Sequence, residues 1–527
     1  MVRRASWLYS PAILLLAAGC GDAGGPRANG VAVYCAASLP DGLDPFVTPD
    51  LGALDARLLL FTPLVLYDRD AGVRPYLAES WTWSEDRRTL TFALRGDVQW
   101  HDGNPVRAED VVWTVRAAAD EAYGYIARAD FASLLDATAP DSLTVVLRFA
   151  TPYIADVEPF VVLPILPRHV LADVPPDQFT TARFHLEPVG SGPFRYAGRS
   201  VDDAIQLDRV AEFPEALGRA RLQRIVLRAI PEVSAQLVEL ETGNVHLCTT
   251  GSSAASQVTG IPGARALPIP PVGLHVIPLD MRQAPMNDAR VRRALSAALD
   301  RGEIVAVLSP LARPARTYLH AAAAQWLDPE RLQPDADSAY AVALLDSAGW
   351  RTIGEDGIRR NARGEPLRFT LVAPQPLSGL LTVVQSQWRR VGIDVEMQFM
   401  EFAAYVDRIR NPDTRPAAMT LSFTPDRVLL PDPFSQLHST GSSNLASYEN
   451  AQVDSLVQQL RAVLPDSARG EIYHALQRHV AEDVPMLYLM YVPRLLAVSA
   501  RVEGVEVDAN GPFASASRWQ LTGNASR

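Results

Sequence analysis

The chain has 527 residues, too many for a single hydrophobic core, so two or three domains are expected. Apolar residues make up 48% and charged residues 21%, an ordinary balance for a soluble globular protein. The net charge of −11 argues against a nucleic-acid partner, which selects basic faces.

Residues 1–20 read as an export signal rather than as part of the fold. Arg3 and Arg4 supply the positive start. Trp7, Leu8, Tyr9 and the run Pro11 to Ala18 form an apolar stretch too short to span a bilayer. The stretch ends in Ala17-Ala18-Gly19-Cys20, and small residues before a cysteine resemble a lipobox, in which Cys20 becomes the lipid-modified N-terminus. Leu, Val or Ile usually stands where Ala17 does, and a plain signal peptide cut nearby is the alternative. The Gly-rich residues 21–30 serve as a flexible tether. No later apolar run reaches membrane-spanning length, so the rest is expected to be exported. With Cys20 modified, Cys35 and Cys248 remain. An exported pair is compatible with a bridge; the preferred reading is two buried reduced thiols on strands. There is no Cys-x-x-Cys and no Cys/His cluster.

Val31 to Ala37 reads as the first strand, and Leu54 to Leu66 carries helical periodicity. The stretch from Leu66 to Ala117 is the most informative. Trp81 and Trp83 alternate with Thr82 and Ser84, as on a half-buried strand. Polar Glu85-Asp86-Arg87-Arg88 makes a turn, and Leu90, Phe92 and Leu94 then share one face of a hairpin partner. Asp102-Gly103-Asn104-Pro105 is a tight turn. A helix follows, with Glu109 and Asp110 in its first turn, where the dipole favours anions, and Val111, Val112, Val115 and Ala118 as its apolar stripe.

The segments Tyr76-Leu77-Ala78-Glu79-Ser80-Trp81, Leu90-Thr91-Phe92-Ala93-Leu94-Arg95, Trp100-His101-Asp102-Gly103-Asn104-Pro105 and Ala108-Glu109-Asp110-Val111-Val112 resemble, in order and spacing, the family 5 extracellular solute-binding proteins. These are the peptide, dipeptide and nickel receptors of ABC importers. Most of the matching residues are read as holding the fold rather than touching a ligand. Ser38 to Pro45 resembles the family loop that ends in Leu-Asp-Pro. Leu143, Val145, Leu147 and Phe149 alternate as a further strand. Gly190-Ser191-Gly192-Pro193-Phe194 matches a family turn; a phosphate cradle is discounted there because no helix pattern follows. Ile225 to Ile230 reads as a buried strand, followed by a helix stopped at Gly243 and a strand at Val245-His246-Leu247. A crossing between domains is placed near the Pro-rich residues Pro262 to Pro271.

Asn287 to Leu295 with Leu299-Asp300-Arg301, and Leu344 to Trp350 with Gly357-Ile358-Arg359 and Gly364 to Leu367, resemble two further family blocks. Gly354 to Gly357 lacks the spaced ligands of an EF-hand. Leu381, Val384, Trp388 and Val391 make a helix that Gly392 stops, and Ile393, Val395, Met397 and Phe399 then alternate as a strand, a unit of an α/β lobe. Helices are read through Val453 to Leu464 and through Ile472 to His479. Val484 to Tyr488 is a fourth block.

The resemblance implies an α/β, bilobal periplasmic-binding-protein-like clamp with an additional inserted subdomain. Lobe I is expected from 31–62, 188–273 and 493–527, the inserted subdomain from 63–187 and lobe II from 274–492. Ligand is expected between the lobes, as at other domain interfaces. The implied function is an extracytoplasmic receptor, with a small peptide as ligand and the membrane permease of an ABC importer as partner. It is expected to be a monomer tethered by lipid to the outer face of the membrane, without cofactor or metal. Receptors for a nickel chelate, haem or an opine-like solute are the alternatives within the family.

An exported hydrolase is the alternative of another class. The sequence holds no Gly-x-Ser-x-Gly and no His-Glu-x-x-His. His474 and His479 are five apart on a helix and so face about 140° apart. For a peptide receptor the resemblance implies an acidic side chain that pairs with the ligand's α-amino group, in a loop reading Trp-x-x-Asp before Asp-Pro. Here Phe423-Thr424-Pro425-Asp426 precedes Asp432-Pro433, which makes Asp426 the anchor, with Phe423 in place of Trp and Asp432 beyond a longer gap. A turn-capping role, or pairing with Arg427, is the competing reading of Asp426. The signal region makes one prediction. Cells fed a radiolabelled fatty acid should label the wild-type protein and not Cys20→Ser; equal labelling of both would end the lipoprotein reading.

Overall fold

The computed structural model describes residues 30–44, 46–47, 51–68, 72–125, 127–153, 156–308, 310–319, 321–374, 378–423, 432–462 and 464–522. Cys20 and Asp426 lie outside these residues. Among them the largest element is a nine-stranded sheet. Its strands are β1 (Val31–Ala36), β2 (Phe194–Arg199), β3 (Ile205–Arg209), β4 (Arg224–Ala229), β5 (Leu247–Gly251), β6 (Arg265–Pro278), β7 (Arg313–Pro314), β8 (Leu421–Phe423) and β9 (Met486–Val498). They lie in the order β8-β6-β9-β5-β1-β4-β3-β2, with β7 beside β9. β1 runs parallel to β4 and β5, and the other pairs are antiparallel.

β1 is apolar without alternation because it is covered on both faces. Ala32 and Tyr34 enter one core, and Val33 and Cys35 enter a second core under the helix Val233–Thr242. That helix ends where Gly243 turns left-handed at φ 80°, a conformation that costs glycine nothing. The first core continues into a four-stranded antiparallel sheet of Ala78–Trp83, Thr89–Leu94, Thr144–Phe149 and Leu134–Asp141. Leu90, Phe92 and Leu94 are buried and their alternates are not, as the sequence periodicity requires. The helix Ala108–Ala119 backs this sheet through Val111, Val115 and Ala118. The helix expected to reach Leu66 ends at Leu60 instead: Pro63 cannot continue it, and Val65–Tyr67 becomes a strand.

The Gly-Ser-Gly-Pro turn has a structural role. Ser191 and Gly192 both donate N–H to the carbonyl of Leu60, each at 2.9 Å, and so cap the helix Leu51–Leu60. A Cβ on Gly190 would lie 1.8 Å from that oxygen, so only glycine fits. His101, from the Trp-His-Asp-Gly segment, accepts the Gly190 N–H at Nδ1 and reaches the Gly192 carbonyl through Nε2, both at 3.1 Å. Two segments that look like separate family signatures are therefore the halves of one joint.

A further pair of cores fills the other side of the molecule. One packs the helices Ala289–Ala297 and Ser378–Arg390 on a parallel sheet ordered Asp394–Met400, Arg368–Pro374, Ala418–Met419. Buried Trp388 donates its indole N–H to the Leu295 carbonyl at 2.9 Å. Arg301 is wholly buried and is tolerated because its donors are met by the Tyr488 carbonyl, Asp335 and the Ser296 hydroxyl at 2.5, 2.8 and 3.0 Å. The other core packs the helices Ala451–Leu460 and Asp466–Asp483. The fold is α/β and bilobal, and β6 and β9 belong to both sides.

Cys35 and Cys248 occupy one register position on the adjacent strands β1 and β5, with Cα atoms 4.4 Å apart, and form a disulfide. The expectation of two reduced thiols is thereby corrected: parallel neighbours in register send both side chains to the same face. Thiol titration of unfolded protein without reductant should detect neither residue, and reductant should expose both. The link closes a sequence separation of 213 residues, so Cys35→Ala/Cys248→Ala should lose about 2–5 kcal/mol in denaturant melts.

Candidate functional site

The two sides of the molecule meet where β6 and β9 cross between cores. On β6, Ile269 still packs with the first core, whereas Leu274 and Val276 enter the far side. On β9, Met486 to Met490 belong to the far side and Leu495 to Val498 to the near side. Between Ile269 and Gly273 the pairing of the two strands slips. The local sequence explains the slip. Pro270 and Pro271 on β6 and Pro493 on β9 have no N–H, so the ladder loses donors on both strands at one level.

Side chains that are buried along most of β9 become half-exposed here, at Tyr491, Val492 and Arg494. Gly273, His275 and Phe423 are half-exposed beside them. The carboxyl end of β5 reaches the same level, where Gly251 pairs with Arg494. Ligands of α/β sheets bind outside the carboxyl ends of parallel strands, and pockets form at domain interfaces. Both rules point to the crossing.

Polar groups are concentrated there. Arg494 holds Asp55 in a two-pronged pair, Nη1 to Oδ2 at 2.6 Å and Nη2 to Oδ1 at 2.9 Å. Asp55 is brought by the helix Leu51–Leu60, the one capped by the Gly-Ser-Gly-Pro turn. The Asp55 side chain is 8% exposed and that of Arg494 is 30% exposed. Tyr34 donates its hydroxyl to Thr249, and burial together with the nearby Asp55 charge raises its pKa far out of the physiological range. His275 pairs in register with Ser422 of β8 and Met490 of β9, and burial pushes its imidazole down to about 4.

The far-side parallel sheet aims at the same place. From the central strand Arg368–Pro374 the chain passes through the helix Ser378–Arg390 to one neighbour, then through the helix Phe402–Arg410 to the other. The carboxyl ends of Arg368–Pro374 and Ala418–Met419 therefore mark a topological switch point. Beyond Ala418–Met419 the chain enters β8, which pairs with β6 at Leu274–Val276.

Phe423, the last residue of β8, is half-buried opposite Leu274 and packs on the far-side core. Asp426 falls in residues 424–431, outside the described residues. Asp432 accepts the Phe434 N–H at 3.0 Å and the Arg461 Nε and Nη2 at 3.1 and 2.9 Å. The Arg461 guanidinium also lies over the Phe434 ring, 3.9 Å from its centre. Asp55 and Arg494 were not singled out from the sequence: 439 residues separate them, and neither stands in a motif.

These features define a two-lobed binding protein. A family model described as "Bacterial extracellular solute-binding proteins, family 5 Middle" matches residues 72–444, and the chain belongs to that family. It is 24% identical over 515 residues to the oligopeptide-binding protein AppA of Bacillus subtilis, covering 95% of this chain and 93% of that protein. The structure of AppA from Bacillus subtilis in complex with a nonapeptide superposes with a TM-score of 0.78 at 23% identity, covering 94% of this chain and 99% of that one. The nickel-binding periplasmic protein of Escherichia coli is 27% identical over 364 residues, 65% of this chain and 66% of that protein.

The His275 imidazole at the crossing makes a prediction about pH. Folded His275 stays neutral down to about 4, whereas an ordinary imidazole takes up a proton near 6.5. Unfolding therefore binds protons in that window, and stability falls as pH drops from about 6.5 toward 4 and is flat above it. Thermal midpoints measured across that range should decline for the wild type and less steeply for His275→Leu. His101 and His246, also pushed down to about 4 by burial, leave a residual slope.

Proposed function

We propose that this protein captures small peptides between its lobes and delivers them to the permease of an ABC importer. The observation that carries the reading is the family membership, together with a crossing where the carboxyl end of β5 meets the half-exposed stretch of β9. The named oligopeptide-binding relative spans almost the whole chain. The protein acts outside the cytoplasm as a monomer, held to the membrane by lipid on Cys20. No helix among the described residues is long and apolar enough to cross a membrane. It is a receptor and not a peptide hydrolase, so purified protein should leave a peptide mixture uncut. The lobes divide at the prolines of β6 and β9, with 31–62, 188–273 and 493–527 in one and 274–492 in the other.

Asp426 reads the ligand's α-amino group, from the segment between Phe423, the last residue of β8, and Asp432, which Arg461 holds. A carboxylate facing an ammonium group makes a charge-assisted hydrogen bond, stronger than a neutral one. Ligand closes the clamp to the extent that it binds the closed state better than the open one. The nickel-binding relative supports a second reading, a metal–chelate receptor. Native mass spectrometry of the protein as purified separates the two by the mass of what is bound.

Removing the Asp426 charge should weaken binding of free peptides by about 2–5 kcal/mol, or roughly thirtyfold to several thousandfold. Asp426→Asn should leave the melting temperature of the unliganded protein nearly unchanged, and N-acetylated peptides should bind the wild type poorly. Equal binding of acetylated and free peptides would remove the amino-terminal anchor and favour the second reading. An effect seen only with Asp432→Asn would move the anchor to the other end of the loop.

A further inference from the structure

An extended ligand that closes a clamp needs contacts on both lobes. Many arginines are candidates in the sequence, and the structure separates them by what already occupies each guanidinium. Arg301 is buried and fully engaged. Arg461 is held by Asp432 and the Phe434 ring. Arg282 is held by Asp280 and the Pro412 carbonyl. Arg228 lies on the outer face of the sheet, between Asp202 and Glu239. Arg494 is different in position and in valence. It stands at the strand crossing, on the near-side lobe, at the carboxyl end of β5. Asp55 takes one N–H from each terminal nitrogen, and no other described residue accepts from this guanidinium. A guanidinium carries five N–H donors. Three remain, on a side chain that is 30% exposed.

We infer that Arg494 is a ligand-reading residue, oriented by Asp55, which presents its outward N–H groups to a neutral carbonyl oxygen of the bound solute. This rests on the peptide reading above and adds a second anchor to it. Asp55 does two things. Its two-pronged hold fixes the plane of the guanidinium, so little freedom is lost when the ligand arrives. It also cancels the charge, so the pair as a whole is neutral. With its net charge cancelled, the pair draws a carboxylate only as a dipole does, whereas its N–H groups suit the main-chain carbonyl of an extended peptide or the oxygen of an amide. The rigid setting supports this: Asp55 sits in the middle of a helix that the Gly-Ser-Gly-Pro turn caps, and Arg494 is anchored by β-pairing with Gly251 and Ile269. The recognised chemistry is thus a peptide backbone rather than a free carboxyl terminus.

Two experiments on the full-length protein test the assignment. In the first, equimolar mixtures of random pentapeptides, as free acids and as C-terminal amides, are titrated against wild type, Arg494→Met, Arg494→Lys and the double variant Arg494→Met/Asp55→Asn. Arg494→Met should lose about ten- to a hundredfold in affinity for acids and amides alike, the size of a lost hydrogen bond to a charged donor. Arg494→Lys should not restore it, because an ammonium lacks the planar fork. The double variant leaves no unpaired carboxylate, so it should recover thermal stability without recovering affinity; a purely structural role would return both together and overturn the assignment. Unchanged affinity in Arg494→Met, or a loss confined to the free acids, would also overturn it. In the second, phenylglyoxal labelling of Arg494 is compared in protein as purified and in protein stripped of its solute by unfolding and refolding. Bound solute should protect Arg494, and equal labelling would overturn its role. Should wild type bind neither peptide mixture, the peptide reading falls, and the labelling result alone then decides whether Arg494 meets whatever solute the protein carries.

Discussion

Two strands, β6 and β9, hold this molecule together, and their pairing is interrupted where the lobes part. Each strand enters one set of cores at one end and another set at the other. A continuous ladder would make the two sides one rigid slab. Pro270, Pro271 and Pro493 remove backbone donors at one level, and the register slips between Ile269 and Gly273. The sheet is thus unbroken as a chain path and weakened as a beam. Lobe motion requires few backbone hydrogen bonds to change at such a place, whereas the cores on either side stay close-packed.

The same level is where the polar groups gather. Arg494, paired with Asp55, stands where β9 becomes half-exposed, the Tyr34–Thr249 hydrogen bond lies close to that pair on the near side, and His275 pairs with Met490 on the far side of the same stretch. Burying such groups without partners is unfavourable, and they are either paired or left open to the space between the lobes. His275 takes the neutral form, which removes the desolvation penalty of a charge. Asp55 and Arg494 form an opposite-charge pair. The consequence is a crossing that is polar in its donors and acceptors yet nearly neutral, suited to a ligand whose own backbone is polar and uncharged.

The near-side lobe is made rigid by means that lie far apart in the chain. The Cys35–Cys248 bridge ties β1 to β5. The His101 joint links the four-stranded sheet to the Gly-Ser-Gly-Pro turn, and that turn caps the helix that carries Asp55. The family segments that stand out in the sequence are therefore the scaffold of the site and not its surface. Trp100, which lies in the most recognisable of them, is buried with its indole N–H on Asp110 at 3.3 Å.

Much was determined by local sequence alone. The period-two alternation of Leu90, Phe92 and Leu94 and the helical stripe of Val111, Val115 and Ala118 specify element and buried face without reference to distant residues, because side-chain direction follows from backbone geometry. The family, and with it the α/β clamp, was legible from segments of that kind. The helix that was expected to run to Leu66 stops at Leu60 because Pro63 and the capping turn, 130 residues away, decide its end. Only the tertiary structure decided the rest. Cys35 and Cys248 become a bonded pair because two parallel strands lie in register, and Asp55 meets Arg494 because a helix near the start packs on a strand near the end. Both are contacts between residues hundreds of positions apart. Sequence periodicity reports which face of an element is buried, but carries no information on which distant element will cover it.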